Sequence, residues 1–189
     1  IVELQADVDD WSQWAINAGL PPELIAFIRF RPELLCKFSP SADLVNCPLP
    51  RTWAHVAKIL ALGLPQAIQA QAIAGAVGEG AASEFLAFLR MCQELPSIDG
   101  IMVDPSSGVI PKQPAVLYAV VTALGMRANT QNFGRIGRYA TRLADEGHGE
   151  FAALLVRDAV RRDRKICQTP DFIRLASGPV GALISGSTK

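Results

Sequence analysis

The sequence predicts an all-α protein, because apolar residues recur at helical spacing along most of the chain and several of these stretches begin with proline. Half of the 189 residues are hydrophobic, which is enough to bury a core in one domain of ordinary size or in two small ones. The longest apolar run, PAVLYAVVTALGM at 114–126, is shorter than the roughly 20 residues that span a membrane. We therefore expect a multi-helix, lid-like bundle followed by a further helical region, with no membrane partner.

Residues 1–5 differ from the rest, since Ile1, Val2 and Leu4 come close to the alternation of a strand. We interpret this segment as the end of a strand whose sheet lies upstream. Because the first residue is Ile and not Met, we expect the chain to be the C-terminal piece of a longer protein. A processed secreted protein could begin in the same way, but the scattered cysteines argue against it.

Residues 6–95 are predicted to form a helical region. DVDDWSQWAINAGL has Val8, Trp11 and Ile16 near helical spacing, with acidic residues at its start. In PPELIAFIRFRPELL, Pro32 should divide two short helices. KFSPSADLVNCPLP contains three prolines and no apolar period, so we predict a loop there. Further helices are predicted over TWAHVAKILALG, PQAIQAQAIAGAV and GEGAASEFLAFLRMCQEL.

The remaining chain divides into three parts. Residues 96–114 carry four prolines and three serines, and we predict an irregular connection between two helical halves. Residues 115–184 should form helices over PAVLYAVVTALGM, NFGRIGRYATRLAD, EFAALLVRDAVRRD and TPDFIRLA. In the last of these, Thr169 can cap the helix and Pro170 suits its first position. Residues 185–189 are predicted to be a tail.

The charge balance and the cysteines limit the classes of function. Lys plus Arg equals Asp plus Glu at 18 each, so the net charge is zero and nothing in the composition favours nucleic acid or an anionic membrane. The four cysteines form no C-x-x-C pair, and no secretory leader is recognisable. We therefore expect a reducing, cytoplasmic setting, with each cysteine filling core space as a small hydrophobe.

Several common sites are missing from the sequence. His55 and His148 have no cysteine, histidine or carboxylate partner at metal-ligand spacing, and we interpret His55 as an ordinary residue of a helix. GAVGEGAA superficially resembles a phosphate-binding loop, but no Lys-Ser/Thr pair follows it and no strand precedes it. We predict a turn between helices instead, with Gly78 or Gly80 ending the first one.

Basic residues concentrate in the later helices. Arg135, Arg138 and Arg142 share one predicted face, and Arg157 and Arg161 share another. One interpretation is a surface for phosphate or for an acidic partner. We favour the other, in which these are solvated helix faces and the residues at 158 and 162 pair four positions apart.

The segment CPLPRTWAHVAKIL places an arginine, Arg51, directly after a proline at the start of a predicted helix. Partial positive charge collects at a helix N-terminus, so a cation in the first turn costs a few tenths to about 1 kcal/mol unless an anion lies nearby. Arg51 therefore suggests an anion. The alternative is that Arg51 is an ordinary solvent-facing residue after a helix-initiating proline.

The order of these features resembles a known family. A strand end at VEL, a short acid-capped helix, a loop and then LPRTWAHVAKIL resemble the passage from the last core strand into the helical lid of AAA+ ATPases, specifically the MoxR-like group of bacteria and phages. VGEGAASEFLAFL and NFGRIGRYATRLADEGHGEFAALLVRDAVRRD are similar to the C-terminal helical extension of MoxR-like proteins. The resemblance covers most of the chain, but only the Pro-Arg pair carries a mechanistic role.

That role is to bind ATP phosphate. In the family a motif of the form small-x-x-Pro-Arg opens a lid helix, and its arginine, called the second sensor, reaches the phosphates of ATP held between lid and core domain. Pro50 and Arg51 match this pair. The resemblance implies a ring-forming homo-oligomeric ATPase that uses ATP and Mg²⁺ to remodel a client protein.

This chain departs from the family by lacking the core. It has no Gly-x-x-x-x-Gly-Lys-Ser/Thr loop, no acidic metal-binding strand motif and no recognisable arginine finger, so we expect neither catalytic nor metal-binding residues in it and no ATP hydrolysis by it alone. A second hypothesis is a non-enzymatic helical interaction module that uses the region from Phe27 to Phe30 or the arginine faces, although aromatic residues at helical spacing are more often part of a core. A nucleic-acid binder is a third, against which the zero net charge argues.

Overall fold

Helices account for all the regular secondary structure in the described part of the chain. The computed structural model describes residues 5–38, 46–93 and 95–184, which contain eleven α-helices, two short 3-10 helices and no strand. The prediction of an all-α fold is therefore confirmed. The predicted strand remnant lies outside the described residues except for Gln5, which is irregular, and the predicted tail at 185–189 lies outside them entirely. None of the described helices combines the length and apolarity needed to cross a membrane.

The contacts divide the chain into two compact units, Ile1–Gln93 and Glu94–Lys189. In the first unit the described residues form α1 (Val8–Asn17), α2 (Pro22–Phe30), a 3-10 helix (Pro32–Leu34), α3 (Pro50–Ala61), α4 (Gln66–Val77) and α5 (Glu79–Cys92). In the second they form α6 (Ile98–Val103), α7 (Pro114–Met126), α8 (Phe133–Asp145), α9 (Gly149–Arg162), a 3-10 helix (Arg164–Gln168), α10 (Pro170–Ala176) and α11 (Pro179–Ile184).

The helix boundaries in the first unit follow local sequence signals. The Asp7 carboxylate caps α1 by accepting a hydrogen bond of 2.8 Å from the Asp10 N–H. α2 ends at Phe30 and only a 3-10 turn follows Pro32, which confirms the predicted break. Gly78 separates α4 from α5 with φ +83°, and a Cβ there would lie 2.7 Å from the Asn46 carbonyl oxygen. The turn therefore requires glycine.

An aromatic cluster forms the centre of the first unit. Phe27 of α2, Trp53 of α3, and Phe85 and Phe88 of α5 are all nearly or fully buried. Their ring centroids lie 5.1 to 5.6 Å apart in tilted or edge-on pairs, the geometry that aromatic quadrupoles favour. The Trp53 indole N–H donates a 2.7 Å hydrogen bond to the Leu34 carbonyl, so the ring is buried without an unsatisfied donor.

In the second unit α9 contacts α7, α8 and α11. Its core is mainly aliphatic and draws on the almost wholly apolar α7, on one face of α8 and on α9; its fully buried members include Val120, Leu124, Leu143, Leu155 and Val156. The predicted cap of α10 is confirmed, because the Thr169 hydroxyl accepts a 3.3 Å hydrogen bond from the Phe172 N–H and Pro170 occupies the first turn.

The proline-rich segment 96–114 is more ordered than the sequence predicts. It contains α6, whose Ile101 is only 3% exposed, and the contacts assign residues 94–114 to the second unit. The Tyr139 hydroxyl donates a 2.9 Å hydrogen bond to the Val109 carbonyl, and burial raises the pKa of this phenol to about 12. The prediction of an irregular connection is wrong for Ile98–Val103, because Ile101 of that stretch joins the core as part of a helix.

Candidate functional site

Arg51 lies in the first turn of α3, one residue after the proline that begins the helix. The N-cap is Leu49, and no acidic residue occurs in the first turn. Arg51 is exposed, and within the described part of the chain its side chain has no hydrogen-bond or ion-pair partner. The N–H groups of Arg51 and Thr52 likewise find no acceptor among the described residues. The turn thus combines a guanidinium with two available backbone donors.

Four hydrogen bonds and a buried ring fix the backbone of this turn. The Leu49 N–H donates a 2.9 Å hydrogen bond to the Thr52 hydroxyl oxygen, and that hydroxyl donates a 3.0 Å hydrogen bond to the Leu49 carbonyl. The indole N–H of Trp11 in α1 donates a 3.2 Å hydrogen bond to the Pro50 carbonyl. Trp53 is fully buried and is held by its bond to Leu34. Arg51 therefore projects from a rigid turn, an arrangement that limits the entropy lost when a ligand binds.

The loop before this turn is described only at its ends. Residues 36–38 and 46–49 have no regular secondary structure, as predicted, whereas residues 39–45 lie outside the described residues. The Lys37 N–H donates a 2.9 Å hydrogen bond to the Pro48 carbonyl. This bond joins the end of the first described stretch to the approach to α3.

The other single-residue candidates have ordinary surroundings. His55 is exposed on α3, as expected for a helix-surface residue. The described residues contain no group of three or more histidines, cysteines or carboxylates that could hold a metal ion. The prediction that every cysteine fills core space is wrong for Cys36 and Cys167, which are exposed and free. Cys92 is half-buried, and burial raises its pKa to about 12, so its thiol is protonated at neutral pH.

The aromatic segment of α2 does not offer the surface that an interaction module would need. Phe27 is 1% exposed and belongs to the aromatic cluster, and Arg29 is 7% exposed. Arg31 forms ion pairs with Glu33 and Glu84, and the hydrogen bond from Arg31 lowers the pKa of Glu33. Phe27 is therefore a core residue, as its helical spacing favours, and its ring is not available to a binding surface from Phe27 to Phe30.

The three arginines predicted to share a face of α8 have different environments. The Arg142 Nη1 donates hydrogen bonds of 2.8 and 2.7 Å to the carbonyls of Pro105 and Gly108, and its Nη2 lies 3.3 Å from a Glu146 carboxylate oxygen. Arg142 thus holds the segment before α7 against α8 and is not available to a ligand. Arg135 and Arg138 are exposed.

The face of α9 also differs from the predicted solvated surface. Asp158 is fully buried, whereas Arg157 and Arg162 are exposed. Asp158 packs against α7 at Gly125, where a Cβ would lie 2.7 Å from the Asp158 Cβ. The prediction that Asp158 belongs to a solvated face is wrong, because helices α7 and α9 approach closely at this glycine.

The structure also forms a groove in the second unit that the sequence did not indicate. Arg174 and Asp171 of α10 lie beside Arg135 and Arg138 of α8, with Gly134 between them. We call this the α8–α10 groove. The named residues of α8 are 33 to 40 positions away in sequence from those of α10, and no local motif links them. Only the glycines of α8, which allow a neighbouring helix to approach, could have indicated it.

Comparison with protein-family models, curated proteins and solved structures finds no match for this chain. A function must therefore be inferred from its own residues. Within the described ranges, the features suited to ligand chemistry are cationic: the exposed Arg51 on its fixed helix turn and the arginines of the α8–α10 groove. Both can bind an anion, and the groove also contains the Asp171 carboxylate.

Proposed function

We propose that this chain is the helical lid region of an ATP-dependent remodelling ATPase, and that Arg51 binds a phosphate group of ATP held by an upstream nucleotide-binding domain. The observation that carries the proposal is an exposed arginine in the first turn of α3 that has no partner among the described residues and no acidic residue in its turn. The proposal agrees with the resemblance to the MoxR-like lid, which rests on the same Pro50-Arg51 pair. Mg²⁺ and the phosphate-binding loop would come from the upstream domain.

The electrostatics of the turn favour a polyanion. An uncompensated arginine at a helix N-terminus is unfavourable by a few tenths to about 1 kcal/mol. A bound phosphate is attracted both to the guanidinium and to the positive end of the helix dipole, so it offsets this cost. A guanidinium can also bond two phosphate oxygens at once. The N–H groups of Arg51 and Thr52 supply further donors.

Such an arginine would have two roles. During phosphoryl transfer it would stabilise the charge that develops on the phosphate oxygens. Between turnovers it would couple the position of the lid to the presence of nucleotide, because the lid gains this contact only when closed on ATP. The parent protein would then form a homo-oligomer that remodels a client protein.

The test is ATP hydrolysis by the protein in which this chain follows its upstream domain. We expect Arg51→Ala to lower turnover by about a hundredfold to a thousandfold, the range for loss of a group that stabilises transition-state charge. His55→Ala is the matched control, because His55 is also exposed and lies one turn later on α3. The control should keep full turnover.

Thermal unfolding of the two variants separates this role from a structural one. Because Arg51 has no partner among the described residues, Arg51→Ala should leave the melting temperature unchanged or slightly raised. Unchanged ATP turnover in Arg51→Ala would refute the proposal.

A second candidate is a non-enzymatic helical interaction module. Two exposed apolar side chains favour it: Leu62, directly after α3, is 68% exposed, and Ile68, in the first turn of α4, is 53% exposed. This function predicts no ATP hydrolysis even when the upstream domain is present. It further predicts that Leu62→Ser and Ile68→Ser abolish binding to a protein partner without lowering stability.

A further inference from the structure

The α8–α10 groove contains two adjoining cavities of different character. One, of about 250 Å³, has mostly apolar walls; the other, of about 300 Å³, has mostly polar walls. They share Gly134, Arg138, Asp171 and Arg174, so they form one continuous depression on the second unit. An apolar cavity that opens beside a charged one suits a ligand with the same two halves.

The polar half carries more positive than negative charge. Arg135, Arg138 and Arg174 line it, whereas Asp171 is its one lining carboxylate. The closest approach of Arg174 to Asp171 is 3.7 Å, which is an ion pair without a short hydrogen bond. Arg135 has neither a hydrogen-bond nor an ion-pair partner among the described residues. Three guanidinium groups around one cavity can share a single anion through charge-assisted hydrogen bonds.

Neighbouring charged residues do not cancel the excess of positive charge in the polar half. Asp104 lies outside the lining residues, and its pKa is lowered mainly by a hydrogen bond from the Ser107 hydroxyl and only to a lesser degree by Arg138. Counting Asp104 with the groove still leaves three cations against two carboxylates. Arg142, one turn beyond Arg138 on α8, differs from the groove arginines, because its guanidinium already donates hydrogen bonds to the carbonyls of Pro105 and Gly108.

The apolar half exists because α8 carries glycines where it faces α10 and α11. Gly137 leaves space toward Leu175 and Val180, and this cavity of about 250 Å³ exceeds the roughly 150 Å³ that suffices to hold benzene. At Gly134 a Cβ would lie 2.6 Å from an Asp171 carboxylate oxygen. That glycine therefore sets how close α10 can come to α8, and so how close its arginine lies to Arg135 and Arg138.

We propose that the α8–α10 groove binds an aryl phosphate, with the phosphate among Arg135, Arg138 and Arg174 and the ring in the apolar cavity. A phosphate monoester carries up to two negative charges and three free oxygens, which matches several arginines better than a single carboxylate does. The ring gains by leaving water for the apolar walls. This site lies wholly in the second unit and is independent of the role proposed for Arg51.

The test uses the 189-residue chain, with phenyl phosphate, inorganic phosphate and benzoate as probes in calorimetric titrations at low ionic strength. Phenyl phosphate should bind about tenfold or more tightly than either of the others, because only it can fill both halves of the groove. Raising the salt concentration should weaken binding, since the arginines are exposed. Equal affinity for phenyl phosphate and phosphate, or no binding of phenyl phosphate, would overturn the proposal.

Variants locate the site. Arg135→Gln and Arg174→Gln should each weaken phenyl phosphate binding about tenfold, as expected for the loss of a charge-assisted hydrogen bond. Arg157→Gln, which removes an exposed arginine of α9 outside the groove, is the control and should have no effect. Binding that survives both groove variants unchanged would place the ligand elsewhere and refute the assignment.

Two further substitutions change binding in distinguishable ways. Asp171→Asn removes the carboxylate that competes with the ligand for Arg174, so it should tighten phenyl phosphate binding severalfold. Weaker binding in Asp171→Asn, with unchanged thermal stability, would contradict the proposed charge balance.

Gly137→Ala adds a methyl group whose nearest neighbours lie at an ordinary 3.8 Å, so the fold tolerates it. The methyl reduces the apolar cavity, and the preference for phenyl phosphate over inorganic phosphate should fall.

Discussion

The two helical units achieve burial by different means. In the first unit four aromatic rings from three helices fill the centre. In the second unit the core is mainly aliphatic, and glycine lets α7 approach α9 so closely that there is no room for a Cβ at Gly125. Truncating a large buried side chain should therefore lower the free energy of unfolding most in the first unit. Adding a methyl group at a buried glycine should lower it most in the second.

Two arginines, one from each unit, also differ in how many partners they have. Arg51 lies on a fixed turn with no partner among the described residues, whereas Arg142 is occupied by two backbone carbonyls. Both are arginines of helices, and both were candidates for binding an anion from the sequence alone. The contacts that a guanidinium already makes therefore distinguish an available binding group from a structural one.

The largest expected effect is that of removing the indole ring at the centre of the first unit. Trp53→Ala should lower the free energy of unfolding by about 3–5 kcal/mol, because it leaves a cavity among the aromatic rings and an unpaired Leu34 carbonyl. Urea denaturation followed by circular dichroism measures the change. Trp14→Ala is the matched control, since Trp14 is 48% exposed, and its cost should be about 1 kcal/mol or less. Equal losses in the two variants would contradict the aromatic-core description.

The next effect tests Arg142 as a structural residue of the second unit. Arg142→Gln should lower the free energy of unfolding by about 1.5–3 kcal/mol, because the Pro105 and Gly108 carbonyls lose a charged donor. Arg138→Gln, one turn earlier on the same helix, should change stability by about 0.5 kcal/mol or less, since Arg138 is exposed. Hydrogen exchange should show faster opening of the segment 105–110 in the first variant only. Similar stability in both variants would show that these two bonds contribute little.

The third prediction compares glycines in helices of the two units. Gly125→Ala should destabilise the protein by about 1–3 kcal/mol, because the new Cβ would meet the Asp158 Cβ at 2.7 Å. Gly75→Ala in α4 should stabilise it by about 0.5–1 kcal/mol, because nothing lies within 4 Å and alanine favours the helix. Thermal unfolding of the two variants gives the signs. A stabilising Gly125→Ala would mean that α7 and α9 can separate without loss.

Most of the helices were predictable because the signals that set them are local. The break at Pro32, the cap at Thr169 and the turn near Gly78 each follow from one or two residues. Helix α6 was not predicted, because six residues within a proline-rich stretch carry little periodicity and the helix depends on burial of Ile101 in the core. Its formation is a tertiary effect that no short window of sequence contains.

The sites were less predictable than the helices. The proline before Arg51 predicted that this arginine lies at a helix N-terminus, and it does. The burial of Asp158 was missed, because helical spacing alone cannot tell which face a neighbouring helix covers. The α8–α10 groove was missed because Arg135 and Arg174 meet only through the packing of α10 on α8.

The smallest expected effect is pH-dependent and concerns the ion pair between Arg31 and Glu33 in the first unit. The hydrogen bond from Arg31 lowers the pKa of Glu33 below its ordinary value near 4.5. A carboxyl with a lower pKa in the folded state adds stability above its unfolded pKa and loses it as the pH falls through the folded value. Because both side chains are partly exposed, Glu33→Gln should cost only about 0.2–1 kcal/mol at neutral pH.

The cost of Glu33→Gln should shrink as the pH falls below about 4, since the wild-type carboxyl then becomes neutral too. Urea denaturation at neutral and acidic pH measures it, and added salt should reduce it at neutral pH. Arg31 also pairs with Glu84, so a double-mutant cycle with Arg31→Gln is needed to isolate the Arg31–Glu33 coupling. A coupling free energy that stays constant from neutral to acidic pH would show that charge does not hold this pair, and that the aromatic core fixes the chain around Pro32 without it.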